Sequence, residues 1–441
     1  MAASEESTLE LAAFNGDDGD EETHHGPEFA LPPADRGKDA WMFLCACFIV
    51  EAMVWGFPFS FGVFQTYYST HEPFSSEPSG IAAVGTTSTG ILYFSAPLAL
   101  AIAQAWPRVR RPSAAAGLIL TIIGLIGASF ANTVPHLIAT QGVIYAVGGT
   151  VLYFPMFIYL DEWFIQRKGL AFGIMWAGTG ASGATIPLVM EAALSRWGFR
   201  TTLRAWSVAM FLLTTPALFY LRGRLPVQHQ YTGFRNLDLT CLRTGTFWIF
   251  QTGNIFESLG FFMPSIYLPS YSTSIGLSHL TSTLSLSTYN LATVAGFILF
   301  GALTDRYDVT TVILMSTLGA TFSILLLWGL SSSSALVYLF AVAYGVTAGG
   351  YSTFGQGCVP LIRRACGRTA DTGMVVALLA AGRGIGSITS GPISEALIGE
   401  GAGLGKAIGA YGTSYGILVI WSGVTAALGG LAWVARVVGM V

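Results

Sequence analysis

Charge is scarce in this chain. Asp, Glu, Lys and Arg make up only 10% of its 441 residues, against roughly a quarter in ordinary soluble domains. Hydrophobic residues reach 53% and the mean hydropathy is +0.60. Such a chain has too little polar surface to face water all round, which argues against a soluble protein and points to lipid as its solvent. Cysteine is scarce as well. Five residues without a Cys-x-x-Cys leave neither a disulfide framework nor a metal-binding spacing. No Walker A sequence and no catalytic-triad spacing is present, so the reading is of a non-enzyme without cofactor. The start has no basic n-region and no early apolar stretch, unlike a signal peptide.

The charge that is present is unevenly placed. Ten of the 24 acidic residues lie in the first 35 positions. That stretch lacks periodicity and ends in Pro32-Pro33, so residues 1–38 read as a disordered acidic tail, with His24 and His25 simply solvated.

Long apolar segments dominate the rest. Segments long enough to cross a bilayer, about 20 residues each, fall at 41–66, 80–105, 113–131, 136–160, 168–191, 201–221, 246–271, 281–302, 310–330, 335–357, 373–398 and 411–436. They are expected to be helices, which satisfy their own backbone hydrogen bonds in lipid. The short alternating segments of a β-barrel are missing. With the N-terminus in the cytoplasm, 16 of the 21 Lys and Arg residues fall on that side. This bias predicts cytoplasmic termini and a multi-pass protein, expected in the plasma membrane. Residues 222–245 become a cytoplasmic linker between two six-helix bundles, 39–221 and 246–441.

"AGTGASG" (177–183) has the G-x-G-x-x-G spacing of a dinucleotide loop. Such a loop follows a buried strand; this one lies inside an apolar span. It also has a partner. "AGTGASGATIPLVMEAAL" (177–194) matches "AGRGIGSITSGPISEALI" (381–398), and "EAMVWGFP" (51–58) matches "ESLGFFMP" (257–264). Nearly equal offsets, 204 to 206 residues, relate fifth to eleventh span and first to seventh. The chain is therefore two parallel repeats, an arrangement in which transporters hold solute at the repeat interface. Gly178, Gly180 and Gly183 read as a helix-packing seam.

"LYFPMFIYLDEWFIQRKGLAFGIMWAGTG" (152–180) carries Trp163-Phe164, Arg167-Lys168-Gly169-Leu170-Ala171, Gly173 and Ala177-Gly178. This resembles the fourth-to-fifth-span signature of the monocarboxylate porter family in the major facilitator superfamily. "GALTDRYD" (301–308) resembles the superfamily's cytoplasmic turn after the eighth span, and "WGFPFSFGVFQTYY" (55–68) the first span of fungal members. The resemblance implies a twelve-span, all-α membrane protein of two bundles that moves solute by alternating access. It also implies that Asp305 and Arg306 form a conformational latch. The chain departs from the lactate carriers, which have a Lys in the first span and an Asp/Arg pair in the eighth. Here Glu51 stands in the first span and the eighth has no charge before Asp305.

Ionisable residues deep in spans are functional candidates, because burying them in lipid is costly. Glu51, Glu257 and Arg383 stand about ten residues into spans one, seven and eleven, and Thr179 occupies the position matching Arg383. Gln251, Asn254 and Glu257 share one helix face at three-residue steps. Glu257 and Arg383 are expected to pair in the cavity with Glu51 opposite. Arg383 would attract an anion and a buried Glu would exchange a proton. The alternative is a structural ion pair that locks helices. Tyr145, Tyr153, Tyr289, Asn290, Tyr344 and Tyr351 are the expected cavity wall for an organic solute larger than lactate.

These features predict a secondary transporter of a small organic solute, a carboxylate or other organic anion, with protons as coupling partner. The alternative is an efflux pump for a fungal secondary metabolite. A non-transporting membrane sensor is a third reading, disfavoured because the only extension is a short tail. The expected partners are the solute, protons and the bilayer, with no nucleic acid.

Overall fold

The computed structural model describes residues 32–75, 80–226, 239–366, 371–399 and 408–441. Outside them lie the acidic tail to residue 31 with His24 and His25, residues 227–238 of the expected linker, Arg368 and Lys406.

Each expected span has its helix. In chain order these are α1 (Lys38–Thr70), α2 (Ile81–Phe94 with Ala96–Ala105), α3 (Pro107–Ala128) and α4 (Val134–Trp163). Lys168–Tyr220 is two helices, α5 and α6, joined at Gly198, whose φ of 71° breaks the rod. Then come α7 (Gly245–Ser274), α8 (His279–Thr304), α9 (Val309–Trp328), α10 (Ser334–Ala365), α11 (Thr372–Gly399) and α12 (Gly416–Val437). Nine of the described runs are long and apolar enough to cross a membrane, and α2 is a tenth if its bent halves count as one. The 30-residue α7 is not among them, because Gln251, Asn254 and Glu257 lower its hydropathy. Twelve crossings put the start of α1 and the end of α12 on one face, called the terminal face below.

Proline shapes the helices that border the centre. Pro58 lacks the N–H that would close the helix onto Val54 O. Tyr145 takes its place, donating its hydroxyl to Val54 O at 2.8 Å. The α2 rod bends by 41° at Ser95, ahead of Pro97, and the Ser95 hydroxyl bonds the Ile91 carbonyl and Thr150 Oγ1.

The glycines bring helices together across the whole molecule. On α5, Gly178 lies against Phe48 and Ala52 of α1, while Gly180 and Gly183 lie against Asn290 and Thr293 of α8. On α11, Gly382 and Gly386 lie against Gln251 and Ser258 of α7, and Gly384 against Tyr93 of α2. The partners exchange as the repeat requires: α5 sits between α1 and α8, α11 between α7 and α2. The dinucleotide spacing is thus a packing seam inside a helix, where small residues let backbones approach.

At the terminal face the halves meet through a cap. Asp305, just past α8, accepts from the backbone N–H of Gly169 at 2.7 Å and of Leu170 at 2.8 Å, at the start of α5. Arg306 beside it is exposed. Gln104, at the end of α2, donates to Asp371, just before α11.

Candidate functional site

A cavity lies between the two halves, walled by α1, α2, α4, α5, α7, α8, α10 and α11, with Ile313 of α9. Glu51, Tyr153, Thr179, Asn254, Asn290, Tyr351 and Arg383 all reach it. More than a third of its lining residues are aromatic. Trp55 packs on Tyr93 with centroids 4.8 Å apart and on Tyr153 at 6.1 Å, edge to face. Trp176 donates its ring N–H to the Tyr153 hydroxyl at 3.3 Å.

Two ionisable clusters interrupt this wall. In the first half, Thr179 Oγ1 donates to Glu51 Oε1 at 2.7 Å. Glu51 is 1% exposed. Its Oε2, with Tyr153 beside it, makes no hydrogen bond of ordinary geometry among the described residues. In the second half, Arg383 Nη1 donates to Glu257 Oε2 at 2.7 Å. The guanidinium lies over the Phe261 ring, 4.4 Å from its centroid, and 5.6 Å from that of Tyr351. Tyr93 stands next to it. Arg383 Nη2 is buried without a hydrogen-bond partner of ordinary geometry among the described residues. The expected approach of Glu257 and Arg383 is therefore present as a direct ion pair.

A lone buried carboxylate or guanidinium is expensive in a medium without water, and pairing offsets that cost. Two acids and one base surround this cavity. One acid and the base are matched to each other. Among the charged groups of the described residues, what is left over is one acceptor, Glu51 Oε2, and one donor, Arg383 Nη2.

The amides that share the α7 face also hold helices together. Gln251 donates to Leu378 O at 3.1 Å and Asn254 to Leu379 O at 2.7 Å, fastening α7 to α11. Asn290 donates to Gly183 O at 2.9 Å, fastening α8 to α5.

Three expected wall residues stand away from the cavity lining. Tyr145 is fully buried on α1, where it satisfies the carbonyl that Pro58 leaves open. Tyr344 donates to Phe261 O at 3.2 Å, and Tyr289 stacks on Tyr344 with centroids 5.7 Å apart. Glu257 touches the cavity only through Arg383. The aromatics that sequence reading passed over include Trp55, Tyr93, Phe154, Phe157 and Trp176. Nothing in a run of apolar residues separates them from packing aromatics. Among the described residues no group of three His, Cys, Asp or Glu could hold a metal.

No family model matches the chain. Individual proteins do. It is 25% identical over 373 residues to the MFS-type transporter pynF of Aspergillus niger, covering 83% of each chain. It is 25% identical to the aspyridones efflux protein apdF of Emericella nidulans, over 87% of this chain and 77% of that one. It is 26% identical to monocarboxylate transporter 13 of Bos taurus, over 73% of this chain and 74% of that one. Among solved structures, the human organic anion transporter MFSD10 superposes with a TM-score of 0.63 at 12% identity, over 89% of this chain and 98% of that one. The helical order, the two repeats around one cavity and these relatives together make the chain a secondary transporter of the major facilitator superfamily, of the fungal type and akin to the monocarboxylate porters.

Proposed function

We propose that the solute is an organic acid with a broad apolar or aromatic body, and that its acidic group is received by Arg383. The observation that carries this reading is the unmatched Nη2 of a buried guanidinium set among aromatic rings. A guanidinium offers two parallel donors to a carboxylate, and Glu257 uses only one side of Arg383. The rings of Trp55, Tyr93, Tyr153 and Trp176 would cover the apolar body. Glu51 is the proton carrier in this reading. Its second oxygen makes no hydrogen bond of ordinary geometry among the described residues, so a proton there removes a buried charge that only neutral donors offset.

The proposal extends to membrane and orientation: the plasma membrane, with the terminal face in the cytoplasm. It extends also to the residue roles, with Asn254, Asn290 and Tyr351 as wall and Asp305 with Arg306 as the latch. A second reading, export of a secondary metabolite, is supported by relatives named as efflux proteins and by the aromatic wall.

Proteoliposomes test both. Flux of an aryl carboxylate is compared with that of lactate and of the uncharged aryl amide, with and without a pH gradient. The expected result is flux of the aryl acid, driven by the gradient, lost in Arg383→Gln and uncoupled from pH in Glu51→Gln. Equal flux of acid and amide, or full activity in both Arg383→Gln and Arg383→Lys, overturns the reading.

A further inference from the structure

A second groove lies on the outside of the first half and plays no part in the central site. It runs between α2 and α4 up to the start of α3. Leu98, Ile102, Val147 and Val151 form its apolar sides, and Phe154 separates it from the central cavity. The 41° bend at Ser95 and the Ser95–Thr150 hydrogen bond mark its inner end. From Ser95 to Ala103 the helix rises about 12 Å. One leaflet of hydrocarbon is about 15 Å deep. The groove is thus comparable in length to one leaflet, and Leu98 on its side is 61% exposed.

Its mouth is cationic. "WPRVRRP" (106–112) has three arginines and no acid. Pro107 cannot donate to Ala103 O, and Arg110 Nε does so instead at 2.7 Å, which fixes that cation at the groove's end. Glu162 lies 3.9 Å from Arg110. Arg108 and Arg111 are exposed on the same turn. The fold does not demand this excess. The corresponding turn of the second half, "DRYD" (305–308), contains two acids.

We infer that the α2–α4 groove with its arginine turn is a binding site for an anionic phospholipid, one acyl chain in the groove and the phosphate at Arg108, Arg110 and Arg111. An apolar slot of leaflet depth ending in net positive charge at the headgroup level matches that molecule at both ends. A zwitterionic lipid would match only at the apolar end.

Native mass spectrometry of the full chain tests this with dioleoyl phosphatidylglycerol and dioleoyl phosphatidylcholine as probes. The wild type is expected to keep one phosphatidylglycerol under activation that strips phosphatidylcholine. A juxtamembrane arginine is worth about 1 kcal/mol toward an anionic lipid, or roughly fivefold. Arg111→Gln is therefore expected to weaken retention about fivefold, and Arg108→Gln with Arg111→Gln roughly 25-fold. The same pair changed to Lys keeps it. Ala99→Trp fills the groove and lowers retention of both lipids, while Arg364→Gln on another exposed turn changes nothing. Equal retention of the two lipids by the wild type, or unaltered phosphatidylglycerol in both Gln variants, overturns the inference. The single Arg111→Gln variant decides the matter if the double one does not fold. No solute is needed, so the result is independent of the transport reading.

Discussion

Thr179 donates to Glu51 at 2.7 Å, and at the matching positions of the second half Arg383 donates to Glu257 at 2.7 Å. The repeat has kept one geometry, a carboxylate on the first helix of each half held by a donor on the fifth. It has changed the charge of the donor. The first half therefore holds an acid with one oxygen to spare, and the second a cation with one amino group to spare. A cavity made by a duplicated scaffold acquires its polarity from that single exchange.

The Glu257–Arg383 pair is 5% and 6% exposed, so removing either partner alone leaves a buried charge. Arg383→Gln is expected to destabilise the protein by about 3–5 kcal/mol. Arg383→Gln combined with Glu257→Gln is expected to recover most of that, because neither charge remains. Thermal unfolding in detergent checks it. Equal losses in single and double variants would show that the pair contributes through packing and not through charge.

On the first half the donor is neutral and the expected loss is smaller. Thr179→Val keeps the shape and removes the hydroxyl, which strands Glu51 Oε1 at a cost of about 1–3 kcal/mol. Thr179→Ser keeps the hydrogen bond and is expected within about 0.5 kcal/mol of wild type. The same unfolding assay reads both. Equal instability of the two would assign the role of Thr179 to its methyl group.

Asp305 spans the halves at the terminal face by accepting from Gly169 and Leu170. Being exposed, it is expected to contribute like an ordinary helix N-cap, about 1 kcal/mol. Asp305→Ala should then raise hydrogen exchange at the amides of residues 169–172 about fivefold, with α9 and α12 unchanged. Unaltered exchange would leave the turn as a helix end with no hold on the other half.

Gly173 and Gly62 are both helical, yet their surroundings differ. A Cβ on Gly173 would collide with the backbone carbonyl of Phe297 on α8, whereas one on Gly62 would meet nothing. Gly173→Ala is expected to destabilise and to impair movement between halves, since backbone cannot step aside as a side chain does. Gly62→Ala is expected to stabilise by about 0.5–1 kcal/mol through lost freedom of the unfolded chain. Thermal unfolding of the two variants side by side gives the sign of each.

Much of this was legible in the sequence, and the reason is physical. Lipid forces each span to be a long apolar helix, so counting spans is counting runs. Duplication leaves matching residues at nearly equal offsets, so Glu51 with Glu257 and Thr179 with Arg383 could be aligned without coordinates. Buried charge in lipid requires a partner, and that predicted the approach of Glu257 and Arg383. The cavity wall was legible only in part. Tyr145 and Tyr153 lie two turns apart on α4, yet Tyr153 borders the cavity and Tyr145 is committed to α1. Pro58 was the available signal, because a proline in a span frees a carbonyl that some hydroxyl must satisfy. For Trp55, Tyr93 and Trp176 no such signal exists. An aromatic in an apolar helix looks the same whether it faces a neighbour or a cavity. Asn254 and Asn290 line the cavity, but their place in the sequence could not show that backbone carbonyls on α11 and α5 also lay within reach.

Asp35 holds the segment before α1 against the α4–α5 turn. Its carboxylate accepts from the backbone N–H of Ile165, Gln166 and Arg167 at 2.9–3.1 Å, and its own N–H donates to Trp163 O at 2.9 Å. Burial alone would raise this carboxyl, but the three N–H groups and the Arg167 charge outweigh it and bring it below its ordinary 3.8. The sign follows from linkage. A carboxyl lowered on folding stabilises the folded state above the unfolded value and loses that contribution as pH falls through the folded one. Asp35→Asn removes the charge at every pH. The stability gap between wild type and Asp35→Asn is therefore expected to be full at neutral pH, to begin shrinking as pH approaches 3.8, and to close below it. Its full size should be about 1–3 kcal/mol, the range for hydrogen bonds to a charged acceptor. Because Gly169 and Leu170, the partners of Asp305, follow this turn directly, the same variant should also speed exchange at those two amides. A gap that is constant from pH 7 to pH 3 would mean that Asp35 acts through shape alone.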